Sequence, residues 1–152
     1  MITFTVPGQP TPKGRPRMTR HGRTYTPAKT IDGEARVAAA CAEAMAGQPP
    51  MVGPVEVSAL ALMRRPQRLQ TRRARACAYL HPCRPDLDNL LKLILDGMAA
   101  AWGDDGQVAR LRSVSKAWAP LGVEPQVIIR AQAVADTLTA DELDLLRCAR
   151  TF

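Results

Sequence analysis

The sequence predicts an α/β (α+β) fold in which one mixed β-sheet is flanked by helices, with the element order βαβαββα. Three observations predict it: an alternating β-branched opening segment, two helix-like segments separated by a strand, and a strand–turn–strand pair after the second helix. At 152 residues the chain has the size of one domain and can bury a core without covalent cross-links. We therefore expect residues 1–152 to form a single domain, with a helical extension from about residue 136.

The first half of the chain alternates strand-like and helix-like segments. Residues 2–6 alternate and are β-branched, which predicts a strand. Residues 9–27 are rich in Pro, Gly and basic side chains, which is typical of an extended surface loop. Residues 28–46 are rich in Ala and contain few helix breakers, so they predict a helix that ends at Gly47. Residues 55–63 predict the second strand.

The second half adds a helix, a hairpin and a final helix. Residues 86–101 predict a helix whose apolar positions recur at helical spacing, namely Leu87, Leu91, Ile94, Leu95 and Met98. Residues 108–118 and 123–131 predict two strands joined by a turn. Thr139 and Glu142 fit a capping box at a helix start. We expect the buried side of this last helix to contain Leu143, Leu146 and Ala149.

The charge distribution favours a polyanionic partner. The net charge is +7 and the estimated pI is 9.8. Residues 1–30 and 64–84 are basic and contain no acid, whereas residues 85–105 contain five Asp and one Lys. Such segments can contact the DNA backbone and release counterions, although a basic segment can also be only a solvated surface. The predicted phosphate-contacting residues are Lys13, Arg15, Arg17, Arg72, Arg73 and Arg75.

The cysteine pattern and the short apolar segments predict where in the cell the protein is found. The four Cys form no C-x-x-C pair, and the chain opens directly into strand-like sequence without a signal peptide. These features favour reduced thiols in a cytoplasmic protein. No apolar run approaches the ~20 residues that a membrane helix requires, so we expect no membrane association.

The acidic segment holds the residues that can carry chemistry. Asp86 and Asp88 stand where Pro85 favours a helix start, Lys92 follows Asp88 by one helical turn, and Asp105 lies beyond the end of the helix. If the next strand runs back along this helix, Asp105 can approach the first pair. Three converging carboxylates repel one another, so they would favour a hard divalent cation, Mg²⁺ or Mn²⁺.

Such a cation can promote phosphodiester hydrolysis by stabilising the attacking and leaving oxygens. Lys92 could then neutralise charge that develops on the phosphate. Each feature also has a plainer explanation. An Asp-x-Asp pair is often a helix cap or a solvated turn, and an i,i+4 Asp–Lys pair is worth only about 0.2–0.5 kcal/mol.

The acidic motif resembles that of the RusA family of Holliday junction resolvases. The matching residues are Pro85-Asp86-Leu87-Asp88-Asn89-Leu90-x-Lys92, then Asp96-Gly97, then Asp104-Asp105-x-Gln107-Val108. A second match lies in the opening segment, Pro7-Gly8-x-Pro10-x-x-Lys13-Gly14-Arg15-Pro16-Arg17. The strong match covers residues 84–108 and the weaker one residues 1–27. The chain departs from the family pattern by a longer Arg-rich segment, residues 64–84, and by the extension after about residue 135.

The resemblance implies a homodimer that nicks four-way DNA junctions with Mg²⁺, and Mn²⁺ is expected to substitute for it. By position it implies that Asp86, Asp88 and Asp105 bind the metal and that Lys92 is catalytic, whereas Asp96 and Asp104 receive no defined role. Two alternatives remain open: a metal-dependent nuclease for other branched or flap DNA, and a DNA-binding module without catalysis. The dimer surface is expected either on the strand around Val123, Ile128 and Ile129 or on the last helix.

Overall fold

The computed structural model describes residues 1–70 and 80–149, in which two long helices pack on one face of a four-stranded mixed sheet. The predicted order of the large elements, βαβαββα, is confirmed. A small two-stranded hairpin lies within the segment that was predicted to be a loop. The elements are β1 (Ile2–Pro7), β2 (Arg17–Met18), β3 (Thr24–Tyr25), α1 (Ala28–Met45), β4 (Val55–Met63), α2 (Leu87–Gly97), β5 (Val108–Trp118), β6 (Gln126–Ala133) and α3 (Ala140–Ala149).

The sheet has the strand order β1–β6–β4–β5. β6 pairs antiparallel with both β1 and β4, whereas β4 and β5 are parallel. Parallel strands need a crossover connection, and α2 lies on the connection between β4 and β5. β5 is therefore an edge strand, and the crossover helix lies beside it.

The core lies between one face of the sheet and the helices α1 and α2. Strand alternation explains its composition, because every second side chain of β1 and β4 faces the helices. The core is largely aliphatic, since only 4% of the residues in the chain are aromatic. Its largest fully buried side chains are Leu90, Met98, Ile129, Val55, Val57 and Cys41.

The buried side of α2 differs from the prediction. The structure buries Leu90, Leu93, Ile94 and Gly97, whereas Leu87, Leu91 and Leu95 remain half-buried. Both sets are apolar and both recur at helical spacing, so periodicity alone could not distinguish them. The prediction was wrong for Leu87, Leu91 and Leu95 because α2 contacts α1 as well as the sheet, and this second contact sets its rotation.

Two glycines set the close contact between α1 and α2. A Cβ atom on Gly97 would lie 2.6 Å from the Cβ of Val37 on α1. A Cβ atom on Gly33 would lie 2.9 Å from Cδ1 of Leu93 on α2. Only glycine fits at these two positions without displacing a neighbour, so they fix how α2 sits on the rest of the fold.

The ends of two elements also differ from the prediction. α2 ends at Gly97 and is followed by a 3-10 turn over Ala99–Ala101, whereas one helix over residues 86–101 was predicted. β6 begins at Gln126 rather than at residue 123 because residues 119–125 form a longer connection that contains Pro120 and Pro125. No helix in the described part of the chain is long and apolar enough to cross a membrane.

The cap of α3 is formed as predicted. The Thr139 backbone N–H donates to Glu142 Oε2 (2.6 Å), and the Glu142 backbone N–H donates to Thr139 Oγ1 (3.4 Å). Hydrogen bonds from Arg110, and then from Thr139, lower the pKa of Glu142 to about 2. Because the pKa of Glu142 is lower in the folded state than its ordinary value of 4.5, the ionised carboxylate stabilises the fold at pH values above 4.5. This contribution is lost as the pH falls from 4.5 through about 2. Leu143 is exposed, so its predicted place on a buried side was wrong.

The helix contact yields a stability prediction. Gly97→Ala should destabilise the protein, because overpacking typically costs about 1–3 kcal/mol and alanine recovers at most about 1 kcal/mol of helix propensity. Gly103→Ala is the matched control, since a Cβ there would meet its nearest neighbour at an ordinary 3.6 Å. Thermal unfolding monitored by circular dichroism should show a lower Tm for Gly97→Ala alone. An unchanged Tm would show that the two helices can separate without cost.

Candidate active site

Asp86 is the N-cap residue of α2, but its side chain makes no capping hydrogen bond. The helix begins one residue later, at Leu87, so Pro85 precedes the cap instead of occupying the first turn as expected. The Asp86 side chain is exposed and makes no hydrogen bond or ion pair within the described residues. An aspartate at this position usually caps its own helix. Here its carboxylate oxygens remain available to a ligand.

Lys116 holds the segment that precedes Asp86. Its Nζ donates to the carbonyl oxygen of Cys83 (2.5 Å) and to that of Pro85. The His81 backbone N–H also donates to the Lys116 carbonyl oxygen (3.0 Å). The end of β5 therefore positions the start of α2. Sequence reasoning missed this lysine, because its helix-facing position follows from the register of β5 against β4, where it pairs with buried Ala61.

Asp88 and Lys92 form an exposed ion pair on α2. Lys92 Nζ lies 3.3 Å from Asp88 Oδ2, and both side chains are 62 % exposed. An exposed pair of this spacing contributes only about 0.3–0.5 kcal/mol. Either partner can therefore exchange the other for a ligand at little cost.

The second acidic motif forms a separate turn over Asp105–Gln107. The Asp104 carboxylate caps this turn by accepting from the Gly106 backbone N–H (2.6 Å). Gln107 Nε2 donates to the carbonyl oxygens of Met51 and Gly53, both at 3.1 Å. Asp104 and Gln107 thus fix the turn beside the segment that precedes β4. The structure gives both residues a structural contact that sequence reasoning left unassigned.

Asp105 is exposed and is oriented by Trp102. Asp105 Oδ1 accepts from Trp102 Nε1 at 3.3 Å, and Trp102 is only 2 % exposed. The indole is thus part of the core and donates its only N–H to this carboxylate. The other oxygen of Asp105 has no hydrogen bond within the described residues. Asp105 is therefore held in place yet can still contact a ligand.

The two acidic motifs lie at opposite ends of α2. Asp86 and Asp88 are at its start, near Lys116 at the end of β5, whereas Asp105 follows its end and precedes the first residue of β5. β5 does run back along α2, as expected, but it brings Lys116 rather than Asp105 to Asp86. Among the described residues of one copy, no three His, Cys, Asp or Glu side chains could hold a metal ion together. The expected approach of Asp105 to the first pair is therefore not observed within one copy.

Lys13 binds carboxylates of the protein itself. Its Nζ forms ion pairs with Asp96 and, at 3.5 Å, with Glu34, and its backbone N–H donates to the Asn89 carbonyl oxygen (2.8 Å). The hydrogen bond to Asp96 is the main cause that raises the pKa of Lys13. Lys13 thus ties the Pro-rich segment to α1 and α2. Asp96, whose role was open, is its main partner.

Four arginines on the small hairpin or just before it form an exposed basic surface, which we call the basic hairpin. None of them makes an ion pair within the part of the chain that the structure describes, and the Thr19 N–H donates to the Arg23 carbonyl oxygen to close the turn. They include two predicted phosphate contacts and two further residues of the same segment: Arg15, Arg17, Arg20 and Arg23. The other predicted contacts, Arg72, Arg73 and Arg75, lie outside the described residues.

An open cleft separates the Pro-rich segment from the start of α2. Asp86 and Asn89 line one side, and Pro12 and Lys13 line the other. Lys29 and Arg84 also line the cleft and add positive charge. The uncapped carboxylate of Asp86 therefore lies in a cleft with basic walls, which suits a phosphate group approaching a bound cation.

One comparison with known proteins identifies a family. The family model described as endodeoxyribonuclease RusA matches residues 7–130, which is most of the 152-residue chain. The match contains both acidic motifs and the basic hairpin, and it excludes α3. No curated protein sequence matches the chain.

The hydrogen bonds by which Lys116 holds the segment before Asp86 can be tested in the free protein. Lys116→Met should speed amide hydrogen exchange at Leu90, whose N–H donates to the Asp86 carbonyl oxygen, by at least about tenfold, since hydrogen bonds to a charged group contribute about 1.5–3 kcal/mol. Lys29→Met is the control, because Lys29 lines the same cleft but makes no hydrogen bond within the described residues. Equal exchange rates in the two variants would show that Lys116 does not hold this segment.

Proposed function

Because the chain belongs to the RusA family of endodeoxyribonucleases, we propose that it is a Mg²⁺-dependent endonuclease that resolves four-way DNA junctions by paired nicks during recombination and repair. The observation that carries this proposal is the uncapped, exposed Asp86 beside Asp88 at the start of α2, inside the family match. We further propose that residues 1–152 form one endonuclease domain and that α3 is an extension of it.

The donor chemistry suits a hard cation, but one copy of the chain supplies an incomplete set. Asp86 and Asp88 offer carboxylate oxygens, which Mg²⁺ and Mn²⁺ prefer. Asp105, the third expected ligand, lies at the other end of α2. When bound, such a cation would stabilise charge on the attacking and leaving oxygens of the phosphodiester. Within one copy, only Asp86 and Asp88 of the three proposed ligands lie at the same end of α2, so the metal site is incomplete.

Lys92 is proposed to stabilise charge that develops on the phosphate during cleavage. Its ammonium is 62 % exposed and its pair with Asp88 is weak, so a phosphate oxygen can compete for it. A cation aimed at developing charge lowers the barrier more than it strengthens ground-state binding. We therefore propose that Lys92 affects the rate of cleavage rather than the affinity for DNA.

The basic hairpin and the Arg72, Arg73 and Arg75 segment are proposed to contact the DNA backbone. The hairpin arginines are exposed and are not engaged with acids of the described chain, which leaves them free for phosphates. Lys13 was also predicted to contact phosphate, but its ammonium already pairs with Asp96 and Glu34. We assign it mainly to holding the cleft wall. Backbone contacts of this kind position DNA without reading its sequence.

A homodimer in the cytoplasm is proposed as the working form. Resolution of a four-way junction needs one cut in each of two like strands, and two-fold symmetry is the commonest symmetry of oligomers. The proposed location rests on cysteine chemistry: Cys41 is buried, Cys83 is exposed, and both are free thiols. Free thiols are the usual state in a reducing compartment.

The catalytic assignment predicts the outcome of a cleavage assay. Asp88→Asn should reduce cleavage of a labelled four-way junction by at least about 10²-fold, since it removes charge at the reacting centre, while junction binding should be retained. Asp136→Asn removes one exposed carboxylate elsewhere and should leave cleavage unchanged. EDTA should stop wild-type cleavage. Full activity of Asp88→Asn, or of wild type in EDTA, would refute the mechanism, and preferred cutting of flaps would favour a different branched substrate.

The backbone contacts predict a change in salt dependence. Replacement of all four hairpin arginines with Ala should weaken junction binding and reduce the slope of log K against log salt by about 0.9 for each lost phosphate contact. The control is Arg130→Ala, because Arg130 lies on the sheet face opposite α1 and α2. Fluorescence anisotropy at several salt concentrations measures both slopes. A quadruple variant with the wild-type slope would show that the basic hairpin does not touch phosphate.

A further inference from the structure

A second open cleft lies outside the carboxyl ends of the two parallel strands. β4 ends at Met63 and β5 ends at Trp118, and these two residues pair in register. Side chains of residues 64–70, which follow β4, line one wall, and residues 119–125, which connect β5 to β6, line the other. In open α/β sheets, ligands commonly bind in the crevice at this end of the strands. The cleft therefore lies where such a sheet has room for a ligand.

The second cleft adjoins the cleft that contains Asp86. The Arg64 backbone N–H donates to Gln9 Oε1 (3.0 Å), and the Gly8 backbone N–H donates to the Pro125 carbonyl oxygen (2.9 Å). Gln9 lines the Asp86 cleft, whereas Arg64 and Pro125 line the second one. The two clefts are thus neighbours on either side of a narrow wall. A chain-like ligand such as a DNA strand can occupy both.

Hydrogen bonds hold the two walls of the second cleft together. Arg65 is 6 % exposed, and its Nε donates to the Ala119 carbonyl oxygen (2.8 Å). The Ala119 backbone N–H donates in turn to the Met63 carbonyl oxygen (2.8 Å). The cleft is therefore formed in the free protein, which lowers the cost of ordering it on binding. Its volume of about 760 Å³ lies within the range of roughly 300–1,000 Å³ that is typical of small-molecule sites.

Flat rings line both walls of this cleft. Trp118 is half-buried, and buried His81 packs against its ring with the centroids 4.0 Å apart. Pro66 and Pro120 line the cleft beside it. Proteins hold unpaired bases by stacking them on aromatic rings, which works for every base because each has a π-face. The cleft thus has the surface that an unpaired nucleobase requires.

Exposed polar side chains line the same cleft. Gln67, Gln70 and Glu124 can form hydrogen bonds with the edge of a base. The Arg64 side chain is also exposed and makes no hydrogen bond or ion pair within the part of the chain that the structure describes. A guanidinium of this kind can pair with a phosphate group. Stacking surface, base-edge partners and a phosphate partner together match the chemistry of one nucleotide.

We propose that the second cleft is a nucleobase-binding site, which holds one unstacked base of the DNA strand that is cut at Asp86. The base stacks between the walls, Arg64 pairs with its phosphate, and the neighbouring phosphodiester lies in the Asp86 cleft. This inference deepens the proposed function and rests on it. Stacking is interrupted at a branch point, so a base there is displaced at a lower cost than a base inside a duplex.

Nuclear magnetic resonance tests the site without cleavage. The chain has two Trp and therefore two indole N–H signals, and that of Trp102 serves as the reference because its N–H donates to Asp105 at the other end of α2. In EDTA, a single-stranded trinucleotide should shift the Trp118 signal and leave that of Trp102 in place. The same trinucleotide with an abasic central position should bind about tenfold more weakly, since the stacked base is lost. Equal binding of the two trinucleotides, or an unmoved Trp118 signal, would overturn the proposal.

A variant that fills the cleft provides a second test. Val123 lines the cleft and is 37 % exposed, so Val123→Trp should fold normally, place a ring in the space for the base and weaken trinucleotide binding by at least about tenfold. Val52→Trp is the matched control, because Val52 is 87 % exposed and lies outside the cleft. Circular dichroism verifies that both variants are folded. If the two folded variants bind the trinucleotide equally, the base does not occupy this cleft.

Four-way junctions in which single bases at the branch point are removed separate this proposal from the proposed function. In Mg²⁺, loss of the base beside the cut should lower kcat/KM of the wild type by about tenfold, whereas Val123→Trp should cut natural and abasic junctions at equal rates. If the wild type cuts all abasic junctions like the natural one, the nucleobase site is wrong and the proposed function stands. If the trinucleotide binds in the cleft but no branched DNA is cut, the proposed function fails and the nucleobase site is supported.

Discussion

The parallel pairing of β4 with β5 is the constraint on which the rest of the structure depends. Parallel neighbours cannot be joined by a tight turn, so the chain must cross over the sheet, and α2 lies on that crossover. The helix therefore runs antiparallel to β5, with its start near the end of the strand. This places Asp86 beside Lys116 and places Asp105 at the far end. The separation of the two acidic motifs follows from strand pairing and not from local conformation.

Close packing then fixes the position of α2 within this arrangement. Gly33 and Gly97 allow α1 and α2 to approach until their side chains touch, and Lys13 connects the Pro-rich segment to both helices through Glu34 and Asp96. The result is a rigid cleft wall on one side of Asp86. The opposite side of the helix keeps the apolar side chains of Leu87, Leu91 and Leu95 half-buried.

The sequence alone predicted what is locally encoded. Alternation and β-branching predicted β1 and β4, the Ala-rich segment predicted α1, and the Thr139–Glu142 capping box predicted the start of α3. The acidic motif predicted family membership, which the family match confirms. Features that depend on long-range pairing were not predictable. Which apolar stripe of α2 is buried, which partners Lys13 and Lys116 take, and where Asp105 lies all depend on contacts between residues 30 or more positions apart.

The identity of the metal ligands tests the proposed active site most directly. A crystal structure of the protein with Mn²⁺, in which the ion is located by its anomalous scattering, identifies these ligands atom by atom. The proposed active site predicts an ion bound by carboxylate oxygens of Asp86 and Asp88, at about the 2.1 Å typical of small hard cations. An ion bound by neither of these aspartates would contradict it.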